Sequence, residues 1–179
     1  EYILNISSYE AEIDVEVKSN KNTNKYILKQ QYISPDVATQ EVLEPSNIQG
    51  VQTILQDGKL EIKNSKLGLS TILKNYQYMT ENALWLSSFI NDYKNSSQKG
   101  IKEENGEYIM ETKVKDANNY TSCKKLYIDK NTNKPTKMLI QDKNNKTLIY
   151  ILYNEIKFDS LSKEEVLAFK LENLNLNDL

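Results

Sequence analysis

The side chains that most often carry out chemistry are scarce in this sequence. There is no His, which removes the usual acid–base group near neutral pH and the commonest metal ligand. All 23 basic residues are Lys. Without Arg the chain lacks the planar fork that reads phosphate and guanine, so nucleic-acid recognition loses ground. Cys123 is the single cysteine and cannot close an intrachain disulfide. A nucleophilic role would need a base that the chain does not have, so Cys123 reads as a small, partly buried side chain or an idle thiol. A phosphate-binding Gly loop, C-x-x-C, H-E-x-x-H and G-x-S-x-G are all missing.

One kind of catalysis survives these absences, because two carboxylates cleave a glycosidic bond without His. The candidate acids Glu10, Glu12, Glu103, Glu104 and Asp142 fall on strand outer faces or in turns, with no sheltered cleft to tune them. The alternating Glu10, Glu12, Asp14 and Glu16 invite a cation. Same-side neighbours on a strand stand about 7 Å apart, however, and rarely share one ion. The stripe therefore reads as a solvated outer face. Lys124-Lys125, the one adjacent basic pair, reads as part of a solvated strand edge. We expect no catalytic residue, no cofactor and no metal, and a function that resides in a shaped surface rather than in an enzyme's site.

The element that organises this surface is Thr80–Tyr93. Trp85, Leu86, Phe89, Ile90 and Tyr93 fall at helical spacings and share one face, with Thr80 as cap and Glu81 in the first turn. Such an aromatic helix needs a sheet to cover it. The flanking sequence supplies strands: Tyr9–Lys18 alternates apolar and acidic, Lys25–Ile33 returns, and Ala38–Leu43 follows the break at Ser34-Pro35-Asp36. Val51–Gln56 and Lys59–Lys63 flank Asp57-Gly58, a hairpin signal. Leu69–Met79 reads as extended or partly irregular. Beyond the helix and the polar connection Asn95–Lys99, strands are expected at Glu107–Val114, Tyr120–Ile128, Thr136–Gln141 and Thr147–Phe158.

In the last of these, Leu148, Ile149, Tyr150, Ile151, Leu152 and Tyr153 are apolar without alternation, so both faces want cover. Two readings stay open: a central strand covered on both faces, or a strand whose outer face meets a second chain, with Leu148, Tyr150, Ile151 and Tyr153 as its contacts. Ser162-Lys163-Glu164-Glu165 has the form of a capping box and predicts a short helix. Tyr2–Ser7 reads as the end of a helix, and the tail 170–179 as mobile or docked in extended form.

Net charge is −2, and no apolar run is long enough to span a bilayer. The chain is expected to form a single domain over residues 1–179. Its predicted class is α+β: a curved antiparallel sheet of roughly ten strands, an unclosed half β-barrel, with capping helices on its concave side.

The order of Tyr9-Glu10-Ala11-Glu12-Ile13-Asp14-Val15-Glu16-Val17, Tyr32-Ile33-Ser34-Pro35-Asp36, Glu41-Val42-Leu43-Glu44-Pro45, Asp57-Gly58-Lys59-Leu60 and the Leu84–Tyr93 helix resembles the LolA/LolB-like lipoprotein carriers and their Gram-positive relatives. The likeness covers Tyr2–Asp159. Within that family the chain is similar to the GerS-like branch of clostridial spore germination lipoproteins, whose Lys-, Asn-, Ile- and Tyr-rich composition it shares. The resemblance implies a spore lipoprotein held to a membrane in the spore envelope by a lipidated Cys upstream of Glu1. It also implies a part in cortex modification, through binding and activating a peptidoglycan amidase of the CwlD kind. It supplies no catalytic residue. Carriers in this family use Arg to carry lipoproteins, and its absence here favours a protein partner over shuttling. A lipid or lipoprotein carrier with an apolar cavity under the helix, and an envelope sensor domain of the same fold, are the alternatives. Unpaired edges of an open barrel also predict a homodimer with strand exchange.

Overall fold

A computed structural model describes residues 2–74, 83–114 and 120–166 of the chain. It opens with a 3₁₀ helix (Tyr2–Asn5) and six strands: β1 (Ser8–Lys18), β2 (Thr23–Ile33), β3 (Val37–Glu44), β4 (Val51–Gln56), β5 (Lys59–Asn64) and β6 (Leu69–Lys74). Helix α1 (Leu86–Asn95) follows. Then come β7 (Lys99–Glu104), β8 (Glu107–Lys113), β9 (Cys123–Asp129), β10 (Pro135–Gln141) and β11 (Thr147–Phe158).

The 11 strands form one sheet in the order β6-β5-β4-β3-β2-β1-β11-β10-β9-β8-β7. Neighbours are antiparallel throughout, and the sheet is unclosed. Two meanders thus stand side by side, joined where the first strand pairs with the last. Each meander needs only local turns. Asp57-Gly58 and Asn105-Gly106 both have two consecutive positive φ angles, the requirement of a tight primed turn (52° and 68°; 51° and 80°). One connection is not local. The chain leaves β6 at one edge and re-enters as β7 at the other, so the residues between them must pass from edge to edge. That connection carries α1.

The period-two pattern is realised in β1, where Tyr9, Ala11, Ile13 and Val15 are buried. They join Leu28, Tyr32, Leu55, Leu60, Met110, Leu126, Met138, Ile140 and Ile151 in a core on one face of the sheet, with Trp85, Leu86 and Phe89 set against it.

The structure departs from the sequence-based expectations at three places. The helix begins at Leu86 rather than near Thr80, and continues to Asn95; Thr80 and Glu81 lie outside the described residues. Trp85 is the N-cap, with extended backbone (φ −87°, ψ 135°) and no capping side-chain hydrogen bond. Instead, the Leu86 N–H donates to Tyr9 Oη at 3.3 Å. A strand residue remote in sequence satisfies one of the orphan donors of the first turn, which no local cap signal can announce. Second, β7 stands largely on residues 100–104, for which no strand is expected from the sequence: all six of its residues are exposed, so it has no apolar phase to read. Third, helices are minor. Besides α1 and the 3₁₀ helix, the described residues hold one helical turn at 163–166. Its capping box is made: Ser162 N–H donates to Glu165 Oε2 (2.8 Å) and Glu165 N–H to Ser162 Oγ (3.3 Å). The tail 170–179 lies outside the described residues.

Candidate functional site

The apolar side of α1 closes over the inner face of the sheet. Trp85, Leu86 and Phe89 have no exposed surface, while Ile90 and Tyr93 are half-buried against the same core. Tyr9 links the sheet to this plug, with ring centroids 6.5 Å from Trp85 and 5.6 Å from Tyr32. Phe89 stacks on Tyr93 at 5.8 Å, and the Tyr93 hydroxyl donates to the Gly100 carbonyl at 3.4 Å, so the far end of the helix reaches β7.

Polar groups pin the helix at its start and along its middle. Besides receiving the Leu86 N–H, the Tyr9 hydroxyl donates to Gln30 Oε1 (3.5 Å), and Gln30 Nε2 donates to Gln40 Oε1 (2.9 Å). This relay crosses β1, β2 and β3. Six residues on, Asp92 receives the ammonium of Lys124 from β9, Nζ to Oδ2 2.6 Å, and the same Nζ donates to Ser88 Oγ at 2.8 Å. Thr112 of β8 donates to the Asp92 carbonyl at 3.5 Å. The first meander therefore holds the start of α1 and the second holds its middle.

Lys124 corrects the expectation of a solvated edge: it is 2% exposed. Adjacent strand residues face opposite ways. Lys125 points outward to Glu111 (3.3 Å), while Lys124 points inward beneath α1. A signal was present, because Lys124 is in phase with the buried Leu126 and Ile128. Burial pushes its ammonium pKa down, against the raising influence of the Asp92 carboxylate.

β11 lies in the interior of the sheet, between β1 and β10. Ile151 and Tyr153 are buried on the inner face, whereas Tyr150 and Leu152 point outward at 36% and 38% exposure, with half-buried Leu148 in the same phase. The four contact residues anticipated on this strand thus divide between two faces, and only Leu148 and Tyr150 belong to the outer one. There they stand beside the acidic column of β1. Glu10 accepts from Gln31 (2.7 Å) and pairs with Lys29 (3.6 Å), and Glu16 pairs with Lys18 and Lys25. All are partly exposed, and apart from Lys18–Glu16 within β1 they cross between β1 and β2.

The remaining acids and the thiol have structural surroundings. Glu103 pairs with Lys130, Glu104 with Lys102 at 2.5 Å, and Asp142 receives the N–H groups of Asn144 and Lys146. The Cys123 thiol is buried and donates to Glu111 Oε1 at 3.4 Å. Burial first, and then Glu111, push it up to about 11, away from thiolate reactivity. Among the described residues no cluster of three or more potential metal ligands forms. An open groove of about 390 Å³ runs along the inner face between the 3₁₀ helix and β7–β9, lined by Tyr2, Ile3, Ile101, Tyr108, Met110 and Ile128.

A family model described as sporulation protein YdcC-like matches residues 1–167. No curated protein sequence matches the chain. Among solved structures, the chain is similar to one in the complex of the CwlD amidase from Clostridioides difficile with the GerS lipoprotein. The identity is 27%, over 86% of this chain and 88% of that one, with a TM-score of 0.58. It also shares its fold with an uncharacterized conserved protein from Thermus thermophilus, at 12% identity over 91% and 85% of the two chains, TM-score 0.57. A LolA superfamily protein from Nitrosomonas europaea aligns at 8% identity over 89% and 90%, TM-score 0.46.

Proposed function

Because the chain belongs to the YdcC-like family of sporulation proteins, we propose that it is a non-catalytic protein of the spore envelope that binds and activates a peptidoglycan amidase of the CwlD kind. The observation that carries this reading is its similarity to a chain of the CwlD–GerS complex over most of both lengths. The site geometry supports it: the inner face is occupied by Trp85, Leu86 and Phe89, and large aromatic and aliphatic side chains remain for contact outside. The outer face of β11, with Leu148 and Tyr150 joined by Leu152, is one such surface. Anchoring by an upstream lipidated Cys, a place between the forespore membranes, and a strand-exchanged homodimer complete the proposal.

The test is affinity purification of the tagged chain from sporulating cells, followed by amidase assay with and without the purified chain. Recovery of an amidase whose activity rises on addition supports the reading; recovery of none, with the bait intact, overturns it. A second reading, a lipid carrier, draws on the open apolar groove beside the 3₁₀ helix. Native mass spectrometry with bound acyl ligand would favour it.

A further inference from the structure

The two edges of the sheet are built differently. β7 is guarded by Lys99, Lys102, Glu103 and Glu104, two of which pair with each other and a third with Lys130. Charges of this kind block pairing with a foreign strand. β6 carries a single charge, Lys74 at its end. Among the described residues it pairs with β5 alone, and all six of its residues are exposed.

The pairing of β5 with β6 sorts the side chains by face. Leu69, Thr71 and Leu73 share the inner face with Leu60 and Ile62. Leu69 and Leu73 are 61% and 42% exposed, and Leu67, in the turn before them, is 66% exposed. Ser70, Ile72 and Lys74 share the outer face with Lys59, Glu61 and Lys63. From residue 59 to 74 the sequence holds Lys59, Lys63, Lys66 and Lys74 against Glu61 alone, a local excess of three positive charges in a chain whose net charge is −2. Glu61 is itself paired with Lys63 at 3.5 Å.

We propose that β6 is an acceptor edge for strand addition, and that its occupant is an extended segment of a protein partner that alternates apolar and acidic residues. The proposal rests on the reading of the chain as a partner-binding protein and names the edge it would offer. An added strand satisfies the main-chain N–H and C=O groups of β6 that face away from β5 and have no strand partner among the described residues. Its apolar side chains extend the inner face beside Leu69 and Leu73, and its carboxylates meet the lysines on the outer face. About six residues, roughly 20 Å of extended chain, span the edge. A lipid surface would meet the leucines and lysines but leave the main-chain row without hydrogen-bond partners in an apolar medium.

The experiment uses the full chain and two labelled peptides of about ten residues, one alternating valine with glutamate and one valine with lysine, read by fluorescence anisotropy and by hydrogen exchange. The valine–glutamate peptide is expected to bind saturably and to protect amides within residues 69–74. Leu69→Glu and Lys74→Glu, both at exposed positions, are expected to weaken binding about tenfold or more, whereas Ile101→Glu on β7 leaves it unchanged. Equal binding of both peptides, binding without protection of β6, equal loss in the β7 variant, or no binding overturns the proposal. So does association with phosphatidylglycerol vesicles, lost in Leu69→Glu, where the peptide does not bind. No amidase enters this assay, so its failure and a failure to recover an amidase from cells are separate results.

Discussion

Lys124 and Asp92, one on the sheet and one on the helix that plugs it, form a buried ion pair with Nζ and Oδ2 2.6 Å apart. Their side chains are 2% and 10% exposed. Apolar contact alone would let α1 slide along the inner face. The pair, with Ser88 on the same ammonium, fixes one rotation and one height for the helix.

Lys124→Met leaves Asp92 charged and buried without its partner, and is expected to destabilise the fold by about 3–5 kcal/mol. Adding Asp92→Leu removes the stranded charge and should recover most of that loss. Urea denaturation of the two variants measures both. The intact pair also carries a pH signature. The Lys124 pKa in the folded chain lies below its ordinary value of 10.5, so between the two the unfolded chain holds a proton that the folded chain lacks. This group's contribution to stability therefore grows as pH rises towards 10.5, and the Lys124→Met variant should lack that rise.

Trp85 is the chain's single tryptophan and is completely buried, so emission reports on the plug alone. Trp85→Ala should cost roughly 3–5 kcal/mol, because the cavity it leaves lies between two layers that cannot collapse. In the unsubstituted chain, native emission should be blue-shifted and should move red only with global unfolding. An acyl ligand that lifts α1 would shift it without unfolding, and that outcome would support the carrier reading.

Cys123 should resist thiol reagents in the native state. Its thiol is buried, hydrogen-bonded to Glu111 and pushed up to about 11, so little thiolate exists near neutral pH. Labelling with a chromogenic disulfide at pH 8 should follow the unfolding rate. Fast stoichiometric labelling of folded protein would contradict the placement of this strand.

Asp159 closes the junction between β1 and the end of β11. Its Oδ1 accepts from the Ser7 N–H (2.7 Å), the Ser7 hydroxyl (2.8 Å) and the Ser8 N–H (3.3 Å), and Oδ2 accepts from the Tyr2 hydroxyl (3.2 Å). The bonds from Ser7 hold its carboxyl below the usual 3.8. The resulting stability is present above pH 3.8 and is lost as pH falls through the lower, folded-state pKa. Asp159→Asn keeps an acceptor and tolerates the positive φ of 53°, and should cost about 0.5–1 kcal/mol at pH 7. Its acid unfolding curve should be flatter below pH 4 than that of the unsubstituted chain.

Much of the fold was legible before any coordinate. Period-two alternation located β1, because one face of an antiparallel strand meets the core and the other meets water. Asp57-Gly58 placed a hairpin through the backbone angles that only such residues adopt readily. The apolar run of β11 announced a strand in need of cover; it is an interior strand, paired with β1 and β10, whose inner face is buried and whose outer face carries exposed Tyr150 and Leu152. These are local properties, carried by neighbours along the chain. The missing His and Arg were equally plain, and they limit the chemistry of any structure the chain adopts.

What the sequence could not decide depends on residues brought together from afar. Leu86 is capped by Tyr9, 77 positions away, so the helix start carries no local signature. The phase of Lys124 with Leu126 and Ile128 marks it as inward, but the partner that makes a buried lysine tolerable, Asp92, is placed above it only by the fold. Which strands became edges was settled by the pairing of β1 with β11, the longest-range contact in the sheet. Among the described residues that pairing made β6 and β7 the two ends, one with Lys74 as its single charge and one with four charged side chains. Periodicity along a strand says which face is wet; only the assembled sheet says which strand has no neighbour.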